Sequence, residues 1–183
     1  MATVENLVTA EEYLNHPDNG RITELVRGNV VVMNLPFLRH GRICSNVVRI
    51  LGGFVEQRQI GITASNDTGI ITQRDPDTVR GADVAFYSFE RLPKDADPEG
   101  YAGVAPEVVV EVLSPNDRWP EITAKVGEYL AVGVLAVCVL DPQSRTATVH
   151  YADRPPDKLT RSDELQLPEI LPGFAVNVSR LFE

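Results

Sequence analysis

The sequence has few of the residues on which several common protein classes depend. Among its 183 residues are two cysteines, three histidines and one tryptophan. Cys44 and Cys138 lie within apolar patterns, so we expect reduced core residues, and we find no Cys/His spacing typical of a zinc site. No apolar run reaches the roughly 18 residues that a membrane helix needs. Residues 1–6 also lack the basic and apolar regions of a signal peptide. The sequence therefore predicts a cytoplasmic protein without a membrane segment.

Positive charge and short catalytic motifs are scarce as well. Lysine and arginine together number 17 against 26 aspartates and glutamates, a formal net charge of −9. This charge argues against a protein that coats nucleic acid nonspecifically, but not against an enzyme with a local basic rim. The sequence contains no P-loop, no G-x-G-x-x-G, no G-x-S-x-G and no H-E-x-x-H. The chemistries that depend on those motifs therefore have no support.

The apolar residues that are present predict a mixed sheet with helices on its faces. Residues 40–58 carry the strongest helical pattern, and residues 108–113 and 134–140 are predicted to be strands buried on both faces. Shorter strands are predicted at residues 21–26, 29–33, 61–72, 82–87 and 146–151, with an added edge strand around Phe174, Val176 and Val178. The length fits a single domain, 1–183, of the α/β (α+β) class.

One carboxylate interrupts the central strand at residues 108–113, which is otherwise apolar and largely β-branched. This residue, Glu111, would cost several kcal/mol to bury unless it were paired, hydrogen-bonded, protonated or bound to a metal. Pro120 then opens a predicted helix, residues 120–131, that carries Lys125 on its second turn. The sequence thus directs a carboxylate and an amine toward the same end of one strand.

Three further side chains are candidates for the same site, and each also has a purely structural explanation. Asp83 begins a short apolar strand, where it is either a turn residue or, together with Glu111, a ligand for a divalent ion. Glu24 interrupts another apolar strand and could bind a second metal, hold Lys125 or face solvent on an edge strand. His40 lies on the buried side of a helical first turn, where a core or capping histidine is the commoner role.

Glu111 and Lys125 have alternative partners too. Glu111 could form a buried salt bridge with an arginine, and Lys125 could pair at the surface with Glu121 or Glu128. In the functional interpretation, Lys125 orients the attacking water and stabilises charge on a phosphate. Three arginines could contact phosphates, although isolated arginines usually lie at the surface: Arg39, Arg42 and Arg80.

Taken in order, these residues resemble a known bacterial family. The segments that carry the resemblance are Ile22-Thr-Glu-Leu-Val-Arg-Gly28, His40, Gly81-Ala-Asp-Val84, Pro106-Glu-Val-Val-Val-Glu-Val-Leu-Ser-Pro115, and Lys125 with Tyr129 and Gly133. They resemble the Uma-type restriction endonuclease family, formerly catalogued as a domain of unknown function, in the PD-(D/E)XK nuclease superfamily. The resemblance extends from residue 9 to residue 151, and Glu-Val-Leu-Ser-Pro is its most specific part.

The resemblance implies a restriction-endonuclease-like fold, in which a central mixed β-sheet is flanked by helices. It also implies that Asp83 and Glu111 bind Mg²⁺ or Mn²⁺. The lysine of this superfamily normally lies two residues after the second acid, where this sequence has Leu113. Lys125 on the following helix is therefore implied to be a migrated lysine. A second, milder departure is Ala82, which precedes Asp83 in place of a proline.

Two functions are consistent with these features. The first is a metal-dependent DNA endonuclease in which Asp83 and Glu111 hold the metal, Lys125 acts on the nucleophile or transition state, and Glu24 and His40 assist at the rim. The alternative is a catalytically silent nuclease-fold scaffold that binds nucleic acid or a protein partner, with the same carboxylates paired internally. Nucleases of this fold often cut two strands with two subunits, so the resemblance also makes a homodimer plausible.

Overall fold

A mixed sheet of eight strands organises residues 7–16 and 20–183, the part of the chain that the computed structural model describes. A separate pair of short strands follows it. The strands are β1 (Thr23–Val26), β2 (Asn29–Val32), β3 (Gly61–Gln73), β4 (Thr78–Ser88), β5 (Val108–Val112), β6 (Ala136–Asp141), β7 (Thr146–His150), β8 (Asp157–Leu159), β9 (Glu164–Gln166) and β10 (Ala175–Asn177). The large sheet has the order β2-β1-β4-β5-β6-β7-β8, and β3 also pairs with β4. This mixed sheet confirms the predicted fold class.

The helices that flank the sheet are α1 (Ala10–Leu14), α2 (Leu38–Val47), α3 (Gly53–Arg58), α4 (Trp119–Ala131) and α5 (Val178–Leu181). A π-helical turn, Val48–Gly52, joins α2 to α3, so the helix predicted at residues 40–58 is a continuous helical segment from Leu38. Its apolar stripe is buried as the spacing predicts: Ile43, Val47, Leu51 and Val55.

The centre of the sheet combines one parallel and one antiparallel pairing. Strand β5 is buried along its whole length; it pairs antiparallel with β4 and parallel with β6. The parallel connection from β5 to β6 passes through α4, which begins with Pro120 in its first turn, where a missing N–H costs nothing. The predicted strand at residues 82–87 is longer in the structure, because β4 continues on both sides while it pairs with β3.

Different elements cover the two faces of the sheet. On one face, α2 packs on β4 and β5 together with the C-terminal segment, residues 160–183. On the other face, α4 contributes Ile122, Val126 and Tyr129 to a core with Val109 and Val137. Because β5 contributes to both cores, the residues near its C-terminal end lie between α2 and α4.

The strand predicted near the C-terminus does not lie at the edge of the large sheet. Val176 belongs to β10, which pairs with β9 in a separate two-stranded sheet, and Val178 already begins α5. Asn177 stops the strand, because its side chain accepts a hydrogen bond from Ser179 N and caps α5. The edge position beyond β7 is taken instead by β8.

The N-terminal hairpin is formed as predicted. Arg27 and Gly28 connect β1 to β2 with φ values of 49° and 76°, the left-handed pair that a type I′ turn requires. The sequence Pro17-Asp-Asn-Gly20 also predicts a turn before β1, but of these residues only Gly20 lies within the described ranges. Among the described residues, no helix combines the length and the apolar character needed to cross a membrane.

Candidate active site

Asp83 and Glu111 lie side by side on neighbouring strands at the centre of the sheet. Strands β4 and β5 pair Ala85 with Val109 and Val84 with Val110, and the same register extended by one residue brings Asp83 opposite Glu111. A direct contact supports this placement, since Val112 N donates to Asp83 Oδ2 at 2.7 Å. Directly opposed side chains in an antiparallel pair have Cβ atoms roughly 5 Å apart. The two carboxylates are therefore neighbours.

Glu111 is compensated from α4 rather than by an arginine. Its side chain is buried, with 5% of the residue exposed. Tyr129 donates its hydroxyl to Glu111 Oε1 at 2.9 Å, and Lys125 Nζ lies 3.7 Å from Oε2. Lys125 and Tyr129 are four residues apart, so they project from the same face of α4. Strand β5, the turn that follows it and helix α4 therefore bring the Lys125 amine close to the Glu111 carboxylate.

Lys125 is buried between two carboxylates instead of pairing at the surface. Its Nζ lies 2.7 Å from Glu24 Oε1, and only 13% of its side chain is exposed. Glu128, one of the two surface partners considered from the sequence, bonds to a different cation. The Nε and Nη2 groups of Arg80 donate hydrogen bonds to the two carboxylate oxygens of Glu128, at 2.6 and 2.9 Å. Glu128, three residues after Lys125, therefore binds Arg80, and Tyr129, four residues after Lys125, binds Glu111. Neither forms a solvated pair with Lys125.

The structure favours one of the alternatives for Glu24, the contact with Lys125, and it corrects the expectation that Arg80 lies at the surface. Glu24 is 4% exposed rather than facing solvent, and Arg80 is buried rather than at the surface. Arg80 Nη1 donates to Glu24 Oε2 at 2.9 Å, and Gly81 N donates to Oε1. The physical reason is strand order: β1 lies inside the sheet, between β2 and β4, and Leu25 pairs with Val79. Glu24 and Arg80 thus meet inside the protein.

His40 bridges Asp83 to a cysteine. His40 Nε2 lies 3.2 Å from Asp83 Oδ2, and Nδ1 lies 3.5 Å from Cys44 Sγ. Both His40 and Cys44 belong to α2, four residues apart and therefore on one face. Cys44 is half-buried and was expected only as a core residue. The spacing His-x-x-x-Cys within a strong helical pattern was the signal that could have identified this pair.

Asp67 is a further acidic neighbour that the sequence interpretation missed. It lies at an irregularity of β3, between the pairs Ser65–Val84 and Thr68–Ala82, with a φ of 55°. The bulge packs Asp67 so closely against Gly81 that a Cβ there would lie 3.0 Å from Asp67 Cβ. The signal was the Ser-Asn-Asp interruption of an apolar strand, since Asn and Asp tolerate left-handed backbone.

The sequence model of one protein family matches most of this chain. The model is Uma2, described as "putative restriction endonuclease", and it matches residues 10–179. The chain belongs to the Uma2 family. The match extends beyond the residues that carried the resemblance, because it includes the C-terminal segment with β9 and β10. A search of curated proteins found no match.

A solved structure has the same fold as this Uma2 protein. It is the crystal structure of a putative nuclease belonging to DUF820 from Anabaena variabilis. The two chains superpose with a TM-score of 0.83 at 18% sequence identity, over 96% of this chain and 97% of the other. The similarity therefore establishes the fold along nearly the whole length of both chains.

At this site of the Uma2 protein the acidic groups outnumber the nearby cations. Burial and the excess negative charge shift the pKa values of several of its residues. Burial raises the pKa of Glu111 to about 8; Lys125 opposes the shift, and the charge of Asp83 adds to it. Burial also lowers the pKa of His40, but the hydrogen bonds with Asp83 and Cys44 outweigh it and raise the value to about 10. Burial and the charge of Asp83 raise the pKa of Asp67. In the metal-free protein, burial thus favours the neutral form of Glu111, and the contacts with Asp83 and Cys44 favour the charged form of His40.

This shift predicts a loss of stability with rising pH that depends on Glu111. The unfolded chain ionises this group near pH 4.5, the folded protein near pH 8. Between these values the unfolded state binds fewer protons, so the free energy of unfolding falls as pH rises. We expect Glu111→Gln to remove this component, measured by urea unfolding of both metal-free proteins across that window. Parallel pH profiles for the two proteins would show that Glu111 titrates normally.

The donor set of this Uma2 site fits a divalent cation. Two adjacent carboxylates are the usual protein ligands of Mg²⁺. Both contacts of Asp83 use Oδ2, and within the described part of the chain no hydrogen bond to its Oδ1 is found. A cation placed between Asp83 and Glu111 would offset the burial and the negative charge of Asp83 that raise the pKa of Glu111. Asp83 and Glu111 are therefore the residues best placed to hold the ion.

Proposed function

We propose that this protein is a metal-dependent endonuclease that hydrolyses phosphodiester bonds in DNA. The observation that carries the proposal is the pairing of Asp83 with the buried Glu111, whose carboxylate lies 3.7 Å from the Lys125 ammonium. Membership in the Uma2 family and the nuclease fold support it, since restriction-endonuclease-like families are typically metal-dependent. We assign Mg²⁺ or Mn²⁺ as the ion, because both accept oxygen ligands.

Asp83 and Glu111 are proposed to hold the ion and to orient the scissile phosphate through it. When bound, the divalent ion lowers the pKa of a water ligand and neutralises charge on the phosphate. Val112 N and His40 hold Asp83 Oδ2, which leaves Oδ1 directed away from those contacts. Tyr129 fixes Glu111 Oε1. These hydrogen bonds set the orientation of both carboxylates before any ligand arrives, which lowers the reorganisation cost of the reaction.

Lys125 is proposed to stabilise the negative charge that develops on the phosphate. Its neighbours Glu111 and Glu24 outweigh the effect of burial and raise its pKa above the ordinary value, so the amine stays charged at neutral pH. Glu24 positions Lys125, and Arg80 in turn positions Glu24. His40 acts on Asp83 from the opposite side, through α2. A homodimer would place two such sites on one duplex, a proposal that size-exclusion chromatography tests.

Cleavage of supercoiled plasmid is the experiment that tests the proposal. We expect nicked and linear products with Mg²⁺ or Mn²⁺ and none with EDTA, and we expect Glu111→Gln to be inactive under all three conditions. Thermal unfolding of the variant shows whether it is folded. Cleavage that persists in EDTA, or that Glu111→Gln retains in full, would contradict the assignment.

A second function is favoured by the internal pairing of the site. Asp83, Glu111 and Glu24 all have cationic or hydroxyl partners within the protein, as a silent nuclease-fold scaffold would require. Titration calorimetry separates the two functions. A scaffold should give no heat with Mg²⁺ or Mn²⁺, whereas an endonuclease should give a binding isotherm that Glu111→Gln weakens by at least about 100-fold.

A further inference from the structure

Three side chains beside the carboxylate pair offer ligand atoms of different chemistry: His40, Cys44 and Asp83. One ligand atom from each residue, a ring nitrogen, Sγ and a carboxylate oxygen, lies within 4.8 Å of the other two. Two contacts between neighbours are shorter: Cys44 Sγ lies 3.5 Å from His40 Nδ1, and the opposite ring nitrogen, Nε2, lies 3.2 Å from Asp83 Oδ2. Glu111 is not part of this group. The cluster therefore lies on the α2 side of Asp83.

The fold holds two of these ligands on a rigid element. His40 and Cys44 are four residues apart on α2, the spacing at which two helical side chains can bind one ion. Buried residues on the same helix, Ile43 and Val47, fix α2 against the sheet. Asp83 comes from the middle of β4, where Val112 N holds its carboxylate. Ligands from a packed helix and a central strand do not depend on loop conformation.

The distances suit a tetrahedral metal ion. Zinc binds a cysteine sulfur at about 2.3 Å and a histidine nitrogen at about 2.0–2.1 Å, which places two such donors roughly 3.5 Å apart in a tetrahedron. Cys44 Sγ lies 3.5 Å from His40 Nδ1, close to that value, whereas the 3.2 Å contact of His40 with Asp83 is made by the other ring nitrogen, Nε2, so a shared ion requires the His40 ring or the Asp83 carboxylate to rotate. Three protein ligands leave a fourth position open, as in catalytic rather than structural zinc sites.

The donor types select against the ions expected at the carboxylate pair. A thiolate and an imidazole favour Zn²⁺, Co²⁺ or Fe²⁺, whereas Mg²⁺ prefers oxygen ligands. We propose that His40, Cys44 and Asp83 form a transition-metal site, distinct from the Asp83–Glu111 pair but sharing Asp83 with it. The proposal does not rest on the endonuclease activity, because it requires neither Glu111 nor DNA.

Binding exchanges protons for the ion. The ligands are a thiolate, a neutral imidazole and a carboxylate, so the thiol proton of Cys44 and one ring N–H proton of His40 are released to solvent when the ion binds. No electron transfer takes place. Asp67 adds negative charge near Cys44, because its carboxylate interacts electrostatically with that thiol. The pair Asp83–Glu111 and the triad His40–Cys44–Asp83 then use the two sides of one carboxylate.

Titration of the metal-free protein with Co²⁺ tests the site by absorption spectroscopy. A tetrahedral Co²⁺ with a thiolate ligand gives intense visible d–d bands and a sulfur-to-cobalt charge-transfer band in the near ultraviolet. We expect both in the wild type, and a loss of affinity of at least about 100-fold with disappearance of the charge-transfer band in Cys44→Ala. Cys138→Ala is the matched control and should keep the band, because Cys138 is buried on β6 and is not one of the three side chains whose ligand atoms come together.

Two further variants make the outcome decisive. Glu111→Gln should retain the charge-transfer band even though it is expected to lose cleavage, so failure of the endonuclease proposal leaves this result unchanged. His40→Gln should lose the tetrahedral d–d pattern, and circular dichroism shows whether it and Cys44→Ala are folded. A wild-type spectrum without a thiolate band, with Co²⁺ held only by oxygen ligands, would overturn the proposal. So would a band that persists in Cys44→Ala.

Discussion

Replacing Asp83 by asparagine is expected to lower the rate of metal-dependent DNA cleavage by about 10³-fold or more, while the protein remains folded. The proposed ion loses an anionic ligand, and a loss of about 4 kcal/mol of transition-state stabilisation corresponds to that factor. The fold should tolerate the change, because the asparagine oxygen can still accept the hydrogen bond that Val112 N donates to Asp83 at 2.7 Å. Single-turnover cleavage of plasmid in Mg²⁺ measures the effect.

A structural readout accompanies this loss of rate. The pKa of His40, raised to about 10 mainly by its hydrogen bonds with Asp83 and Cys44, should fall in Asp83→Asn because the carboxylate charge is gone. Titration of the imidazole by NMR follows this change. Asp163→Asn is the matched control: Asp163 is exposed and its carboxylate accepts hydrogen bonds from Thr160 in its own turn, so the cleavage rate and the pKa of His40 should stay at the wild-type values. Full activity in Asp83→Asn would exclude Asp83 as a metal ligand.

Replacing Arg80 by methionine is expected to have the largest effect on stability. Arg80 neutralises Glu24 and Glu128 through three hydrogen bonds of 2.6–2.9 Å, and Glu24 is buried. Removal of one partner from a buried ion pair typically costs about 3–5 kcal/mol, because the remaining charge is left uncompensated. Methionine fills a similar volume without the charge. Urea unfolding, with the midpoint and slope both fitted, measures the loss.

A surface arginine provides the control for this prediction. Arg74 also contacts two carboxylates, Glu11 and Asp77, but its side chain is 53% exposed. Exposed pairs are worth about 0–1 kcal/mol, so Arg74→Met should cost far less than Arg80→Met. The double variant Glu24→Gln/Arg80→Met should recover part of the loss, since it removes one of the stranded charges. Equal losses at both arginines would show that burial of Arg80 carries no electrostatic penalty.

The parts of the site that could be predicted from the sequence depend on local patterns. An apolar run with one carboxylate located Glu111, the proline after the turn located the helix that carries Lys125, and helical spacing placed His40 on the buried side of α2. Each inference uses residues within one or two elements, where period and chain direction decide the geometry. The pairing of Asp83 with Glu111 was one of two alternatives drawn from two acidic residues on separate strands, and the resemblance to the Uma-type family implied the same pair.

The parts that could not be predicted depend on which strands become neighbours. Glu24 and Arg80 are 56 residues apart, and neither sequence environment shows that β1 pairs with β4. An isolated arginine in a strand is usually at the surface. The burial of Arg80 can be explained only when its two partners, Glu24 and Glu128, are known. The bulge that brings Asp67 beside Gly81 is equally non-local, because it requires the register of β3 on β4.

The C-terminal segment that covers α2 has a consequence for the chemistry on that helix. Arg42 donates to Phe182 O across 140 positions of sequence, and Asn46 donates to Glu183 O. Both donors lie on the helix that presents His40 and Cys44. Deletion of residues 182 and 183 would therefore remove two hydrogen bonds that hold α2 in place, although every candidate ligand would still be present. Residues 182 and 183 thus stabilise the position of the helix that carries two of the candidate ligands.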